Sequence, residues 1–200
     1  FLKQQLDSVF EDIYPDAVKI GMVASSELIC VIADRLRYYN AKNVVIDPVM
    51  VASAGSSLIK QNAVQTLINE LLPISTLVTP NIPEAQVLSG MTIKNKEDMI
   101  AAAKQIGDSY HCAVLLKGGH SINDANDLLY ANGKLILFEG MRIDNPNTHG
   151  TGCTLSSAIT AFLSKGQPLE QAVENGLNYI ARAIATSHKL GEQFAVNHSI

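Results

Sequence analysis

Apolar residues in this sequence follow two rhythms. Short runs such as Val44-Val45-Ile46 and Val114-Leu115-Leu116 are apolar at every position, whereas elsewhere apolar residues recur every third or fourth position. The first pattern predicts a strand covered on both faces, the second a helix with one buried stripe. Leu2, Leu6, Val9 and Phe10 set a helix at the start, and residues 17–22 (AVKIGM) set a strand. Ser26 then introduces Leu28, Ile29, Ile32, Ala33 and Leu36 at helical spacing. The unit repeats with a strand at 43–46, a loop rich in Ala, Ser and Gly, and a helix over 63–72 that Pro73 ends. A strand at 76–79 leads through a Pro-bounded turn to a short helix at 84–88, a longer one at 96–106 and a buried strand at 113–116.

Buried strands joined by helical crossovers predict an α/β fold, a mostly parallel central sheet flanked by helices on both faces. The rhythm changes past Lys117. Residues 127–131 and 134–138 flank Asn132-Gly133, a strong hairpin signal, so one edge of the sheet turns antiparallel. Two helices close the chain. One spans 154–164 and stops at Gly166; the other starts at Pro168, carries Leu169, Ala172, Val173, Leu177, Ile180 and Ile184 in one stripe, and ends near Gly191. Without a linker, low-complexity segment or further repeat, residues 1–200 form one domain.

Composition narrows the function. Hydrophobic residues make up 47% and charged residues 17%, enough for a core and against disorder. No apolar stretch reaches membrane-helix length. The net charge of -4, with no basic run, argues against a nucleic-acid partner. Cys30, Cys112 and Cys153 are odd in number and widely spaced, which suits neither a disulfide framework nor a zinc site and favours a cytoplasmic protein. Cys30 and Cys112 lie in apolar segments and are expected in the core.

In open α/β sheets ligands bind beyond the carboxyl ends of the strands, so the residues just after each apolar run are the ones that matter. Asp47 follows one strand; Asn81 and Glu84 follow another; Lys117 follows a third. The segment Thr148-His149-Gly150-Thr151-Gly152-Cys153 runs into a helix. Small residues there let backbone amides point outward at a helix N-terminus, an anion nest. Asp47 and Glu84 supply hard oxygen ligands suited to Mg²⁺; taken singly, the plainer reading as a turn Asp and a helix-capping Glu is favoured, and the joint pattern shifts the balance. Lys117 can set an ammonium near transferring phosphate oxygens, or sit solvated on the surface. Phosphate-loop and dinucleotide fingerprints are absent, and Gly119-His120-Ser121-Ile122-Asn123 misses the nucleophile-elbow pattern at its last position.

These segments resemble the ribokinase-like superfamily of ATP-dependent small-molecule kinases, with Asn81-x-x-Glu84 similar to its magnesium motif and Gly150-Thr151-Gly152 to its anion hole. Lys19-Ile20-Gly21-Met22, Asp47-Pro48-Val49-Met50, Thr79-Pro80-Asn81, Lys117-Gly118-Gly119-His120 and the 148–154 segment resemble, more narrowly, the hydroxymethylpyrimidine/phosphomethylpyrimidine kinases of thiamine biosynthesis. The resemblance spans nearly the whole chain in order. It implies phosphorylation of 4-amino-5-hydroxymethyl-2-methylpyrimidine by ATP, then of the monophosphate, in a homodimeric enzyme. Glu84 and Asn81 would hold Mg²⁺ through waters and Asp47 would assist. Lys117, Thr148 and His149 would contact ATP, and the amides of Gly150, Thr151, Gly152 and Cys153 would stabilise transition-state charge. Met22 and Val49 would flank the pyrimidine ring.

Cys153 stands where most of the superfamily has an Asp base. A free thiol is a weaker base at neutral pH but a helix N-terminus favours its thiolate, so the alternatives are Cys153 as base and charge stabilisation by the backbone amides alone. Pyridoxine/pyridoxal kinase, or one enzyme serving both rings, is the alternative within enzymes; a catalytically silent nucleotide-binding module is the alternative outside them. The family begins with a strand and a Gly/Ser-rich segment that this sequence lacks. The chain opens within a helix and without Met, so the expectation is a kinase domain missing its N-terminal strand region.

Overall fold

Four of the apolar runs become parallel strands that lie side by side in chain order: β1 (Val18–Ile20), β2 (Val44–Ile46), β3 (Leu77–Val78) and β4 (Ala113–Leu116). The computed structural model describes residues 1–50, 59–118, 126–139, 150–190 and 193–199. Register explains why the runs carry no polar alternation. Ile20, Ile46, Val78 and Val114 form one row across the sheet, and they belong to the core beneath one face. Val45, Leu77 and Leu115 point the other way into a second core. Each strand is apolar on both sides because both sides are covered.

Helices α1 (Leu2–Asp12), α2 (Ser26–Tyr38), α3 (Gln61–Thr66), α4 (Ile82–Ser89) and α5 (Lys96–Tyr110) supply the first core. Crossovers between parallel strands share one hand, so a sheet that grows steadily in one direction keeps its connecting helices on one face. The opposite face is left to α6 (Thr151–Ser164) and α7 (Leu169–Ala185), whose Leu155, Ile159, Val173 and Ile180 fill the second core. Past β4 the sheet continues through the antiparallel strands β5 (Asp127–Ala131) and β6 (Lys134–Phe138). Between them Asn132 and Gly133 take φ of 51° and 76°, the two left-handed positions of a tight hairpin.

The expected elements are present with four differences. The helix expected over 63–72 is α3 followed by a π-helical stretch (Leu67–Leu71) and a 3₁₀ turn (Leu72–Ile74) that holds Pro73 near its start, where no intrahelical N–H is needed. Helix α6 begins at Thr151 rather than 154, because Gly150 at φ 81° already caps it. Helix α7 ends at Ala185, not near Gly191: its stripe closes at Ile184, and a small hairpin, β7 (His188–Leu190) with β8 (Gln193–Ala195), follows. Cys30 is exposed, since α2 buries Ile29, Ala33 and Leu36 on another side; Cys112 is buried as expected.

Helices α6 and α7 approach closely at Gly176. A Cβ there would lie 2.6 Å from Cγ1 of the fully buried Ile159. Gly176→Val is expected to destabilise the fold by about 2 kcal/mol through overpacking, read by denaturant unfolding.

Candidate active site

All four parallel strands run in the same sense, so their carboxyl ends share one edge, and three of those ends deliver a polar side chain to one spot. Asp47 leaves β2 with its amide donating to the Ile20 carbonyl at 2.9 Å, and its carboxylate is only 2% exposed. Thr79, at the end of β3, donates its hydroxyl to Asp47 Oδ1 at 3.3 Å. Lys117, at the end of β4, reaches back across β3 and donates Nζ to the same oxygen at 3.0 Å. Its amide donates to the Pro80 carbonyl at 2.9 Å, and it bridges Asn81 in parallel register, so the ammonium stands on a fixed backbone.

The N-terminus of α6 closes the spot. A Cβ on Gly152 would lie 3.2 Å from Lys117 Nζ and 4.0 Å from Asp47 Oδ2, so the helix end abuts the ion pair. A side chain at 152 would press on the ammonium. The left-handed φ at Gly150 turns the chain into the helix, and the first-turn amides project from its end with the positive pole of the helix dipole. Cys153 lies in that first turn and is exposed.

The Asn81-x-x-Glu84 spacing is a capping box. Asn81 Oδ1 accepts from the Glu84 amide at 2.9 Å, and Glu84 Oε2 accepts from the Asn81 amide at 2.9 Å. The plain capping role and the ligand role therefore coexist. The cap fixes Glu84 at 2% exposure, facing the charges of Lys117 and Asp47. Burial pushes the Glu84 carboxyl up to about 7; Lys117 and the Asn81 amide work against that rise, and Asp47 adds to it.

Two residues belong to this cluster that motif reading passed over. Thr79 lies within the Thr79-Pro80-Asn81 segment, and its position just after β3 is the signal that marks it. Asp127, expected merely as the start of a strand, accepts the Gly118 N–H at 2.9 Å with Oδ1. Met22 and Val49 follow β1 and β2 on the same rim, Met22 being 57% exposed. Thr148, His149 and His120 lie outside the described residues, as does the Ala/Ser/Gly loop at 51–58.

Mg²⁺ is tested by its donor set. Asp47 and Glu84 bring buried carboxyl oxygens, hard donors, to the neighbourhood of the Lys117 ammonium. Among the described residues no three acidic, His or Cys side chains gather as a metal cage. The donors that fit Mg²⁺ are the Asp47 and Glu84 carboxyl oxygens, since this ion takes one or two carboxylates and completes its shell with water and substrate phosphates. A cleft of about 540 Å³ lies at the far edge of the sheet beside Tyr14, Asp16, Lys42 and Asn43, away from these strand ends. Among the described residues no helix is long and apolar enough to cross a membrane.

Comparison with known proteins identifies the family and the fold. The family model for phosphomethylpyrimidine kinase matches residues 1–198. The chain is 45% identical over 200 residues to a thiamine biosynthesis bifunctional protein of Geobacter sulfurreducens, covering 99% of this chain and 41% of that longer one. It is 39% identical to the hydroxymethylpyrimidine/phosphomethylpyrimidine kinase of Bacillus subtilis, covering 95% of this chain and 71% of the relative. A crystal structure of phosphomethylpyrimidine kinase from Clostridium difficile superposes with a TM-score of 0.83 at 41% identity, over 92% of this chain and 75% of that one. Pyridoxal kinase of Bacillus subtilis, solved as an ADP complex, superposes with 0.89 at 36% identity, over 99% and 75%.

The raised Glu84 carboxyl sets a pH dependence. The folded protein holds that proton more tightly than the unfolded chain, whose value is near 4.5, so ionisation costs stability. The cost is absent below that value and grows as pH rises through about 7. Glu84→Gln keeps an oxygen for the cap and removes the ionisation. Without ligand or metal, the parent should lose stability relative to the variant between about pH 5 and about pH 8, by up to about 3 kcal/mol in denaturant titrations.

Proposed function

The chain belongs to the phosphomethylpyrimidine kinase family, the ATP-dependent hydroxymethylpyrimidine and phosphomethylpyrimidine kinases of thiamine biosynthesis, and on that premise we propose that its strand-end cluster is the phosphoryl-transfer site. The observation that carries this reading is the meeting of Lys117, Asp47 and Gly152. An ammonium held at 3.0 Å from a carboxylate and set against a helix N-terminus is a prepared site for a triphosphate.

In this reading the hydroxymethyl oxygen of the pyrimidine attacks the γ-phosphorus of ATP, the bond to the β-phosphate oxygen breaks, and ADP leaves. The second turn repeats this with an oxygen of the monophosphate as nucleophile. Lys117 and the amides of Gly152 and Cys153 hold the transferring oxygens, with Gly150 and Thr151 shaping the turn. Cys153, in the first turn of α6, acts as the base that takes the hydroxyl proton as the new O–P bond forms. Met22 and Val49 flank the ring, and Thr148 and His149 line the nucleotide. Glu84, Asp47 and, through water, Asn81 would hold Mg²⁺, which when bound neutralises charge on the β- and γ-phosphates.

A cytoplasmic homodimer completes the proposal; Val9 of α1 and Ile13 just past its end, 52% and 74% exposed, offer it apolar surface. The fit to pyridoxal kinase supports a second reading in which the site takes pyridoxal-type rings. ADP release by the full chain, with the pyrimidine alcohol and with pyridoxal, separates the two. Turnover with the pyrimidine and its monophosphate is expected; no turnover with either ring defeats the proposal.

Lys117→Ala should cut kcat/KM for ATP about a hundredfold. Cys153→Ala should lose kcat with little change in the ATP dissociation constant, while Cys153→Asp retains turnover. An alanine variant as fast as the parent removes Cys153 as the base.

A further inference from the structure

Asp127 has no part in the chemistry above, yet its carboxylate controls the residue next to Lys117. The ladder between β4 and β5 ends with Leu116 opposite Leu128. One step further, the Asp127 side chain takes the Gly118 N–H at 2.9 Å. On the other edge of the same two residues, the Lys117 amide donates to Pro80 at 2.9 Å. Gly118 also packs closely on the neighbouring chain, since a Cβ there would collide with the Asn126 carbonyl. The backbone at 117 and 118 is thus clamped from both neighbouring strands.

That clamp matters because the Lys117 ammonium stands at the end of a stem of four methylenes, so an angular change at the backbone becomes a larger displacement at Nζ. A small rotation of the backbone at Lys117 moves Nζ off Asp47 and off the end of α6. We propose that Asp127 is a positioning residue for phosphoryl transfer: by accepting the Gly118 amide it fixes the backbone from which Lys117 reaches the ATP phosphates. This rests on the reading of Lys117 as a phosphate contact. A strand-entry Asp that merely satisfied an amide would affect stability but not the handling of ATP.

A double-mutant cycle in the full chain distinguishes the two, with kcat/KM for ATP, KM for the pyrimidine alcohol and the thermal midpoint measured for each protein. Asp127→Ala should cut kcat/KM for ATP about tenfold and leave KM for the alcohol within about twofold. In a Lys117→Ala background the same change should alter kcat/KM for ATP by less than about twofold, because no ammonium remains to be positioned. Equal factors in both backgrounds, or no effect in the parent, overturn the proposal. Asp127→Asn keeps an acceptor oxygen and should stay within about threefold of the parent; a tenfold loss there also overturns it, even if the alanine variant fails to fold. If Lys117→Ala itself leaves kcat/KM for ATP at the parent level, the phosphate-contact reading fails. A silent Asp127→Ala beside a responsive Lys117→Ala defeats only the positioning role.

Discussion

The ion pair between Lys117 and Asp47 is the constraint on which the site depends. Both groups are largely withdrawn from water, with side chains 17% and 3% exposed, so each needs the other. Removing one partner of such a pair typically costs about 3–5 kcal/mol, because the remaining charge is stranded. The pair can form only if β2 and β4 hold a fixed separation. The strand that sets this separation is β3, whose Thr79 also donates to Asp47.

The same pair sets the sequence around it. Gly152 leaves room for the ammonium where α6 meets it, and at Gly118 a Cβ would collide with Asn126 as the chain leaves β4. Glu84 reaches this edge because its backbone is locked into a capping box, a local device worth about 1 kcal/mol in itself. Cap and cluster reinforce each other. The cap holds in place a carboxylate that burial would otherwise disfavour, and the charges nearby give that carboxylate a use.

The strands, the crossover helices and the Asn132-Gly133 hairpin were readable because local pattern and burial agree there: both sheet faces are covered and the hairpin turn needs left-handed residues. Asp47, Glu84 and Lys117 were readable as strand-end residues for the same reason, and the structure brings them together. Other features depend on contacts that pattern does not encode. Cys30 lies in an apolar stretch, yet it is exposed, because the buried stripe of α2 passes through Ile29 and Ala33 instead. The hairpin after α7 has no alternation strong enough to announce it. Asp127 looks like any strand-entry Asp until Gly118 is seen beside it.

A crystal structure of the full chain with magnesium and a non-hydrolysable ATP analogue tests the central claim most directly. The account predicts the γ-phosphate within hydrogen-bond reach of Lys117 Nζ and of the Gly152 and Cys153 amides, with the metal on the Asp47 and Glu84 side. A nucleotide seated elsewhere, for example in the cleft beside Tyr14 and Lys42, would contradict it.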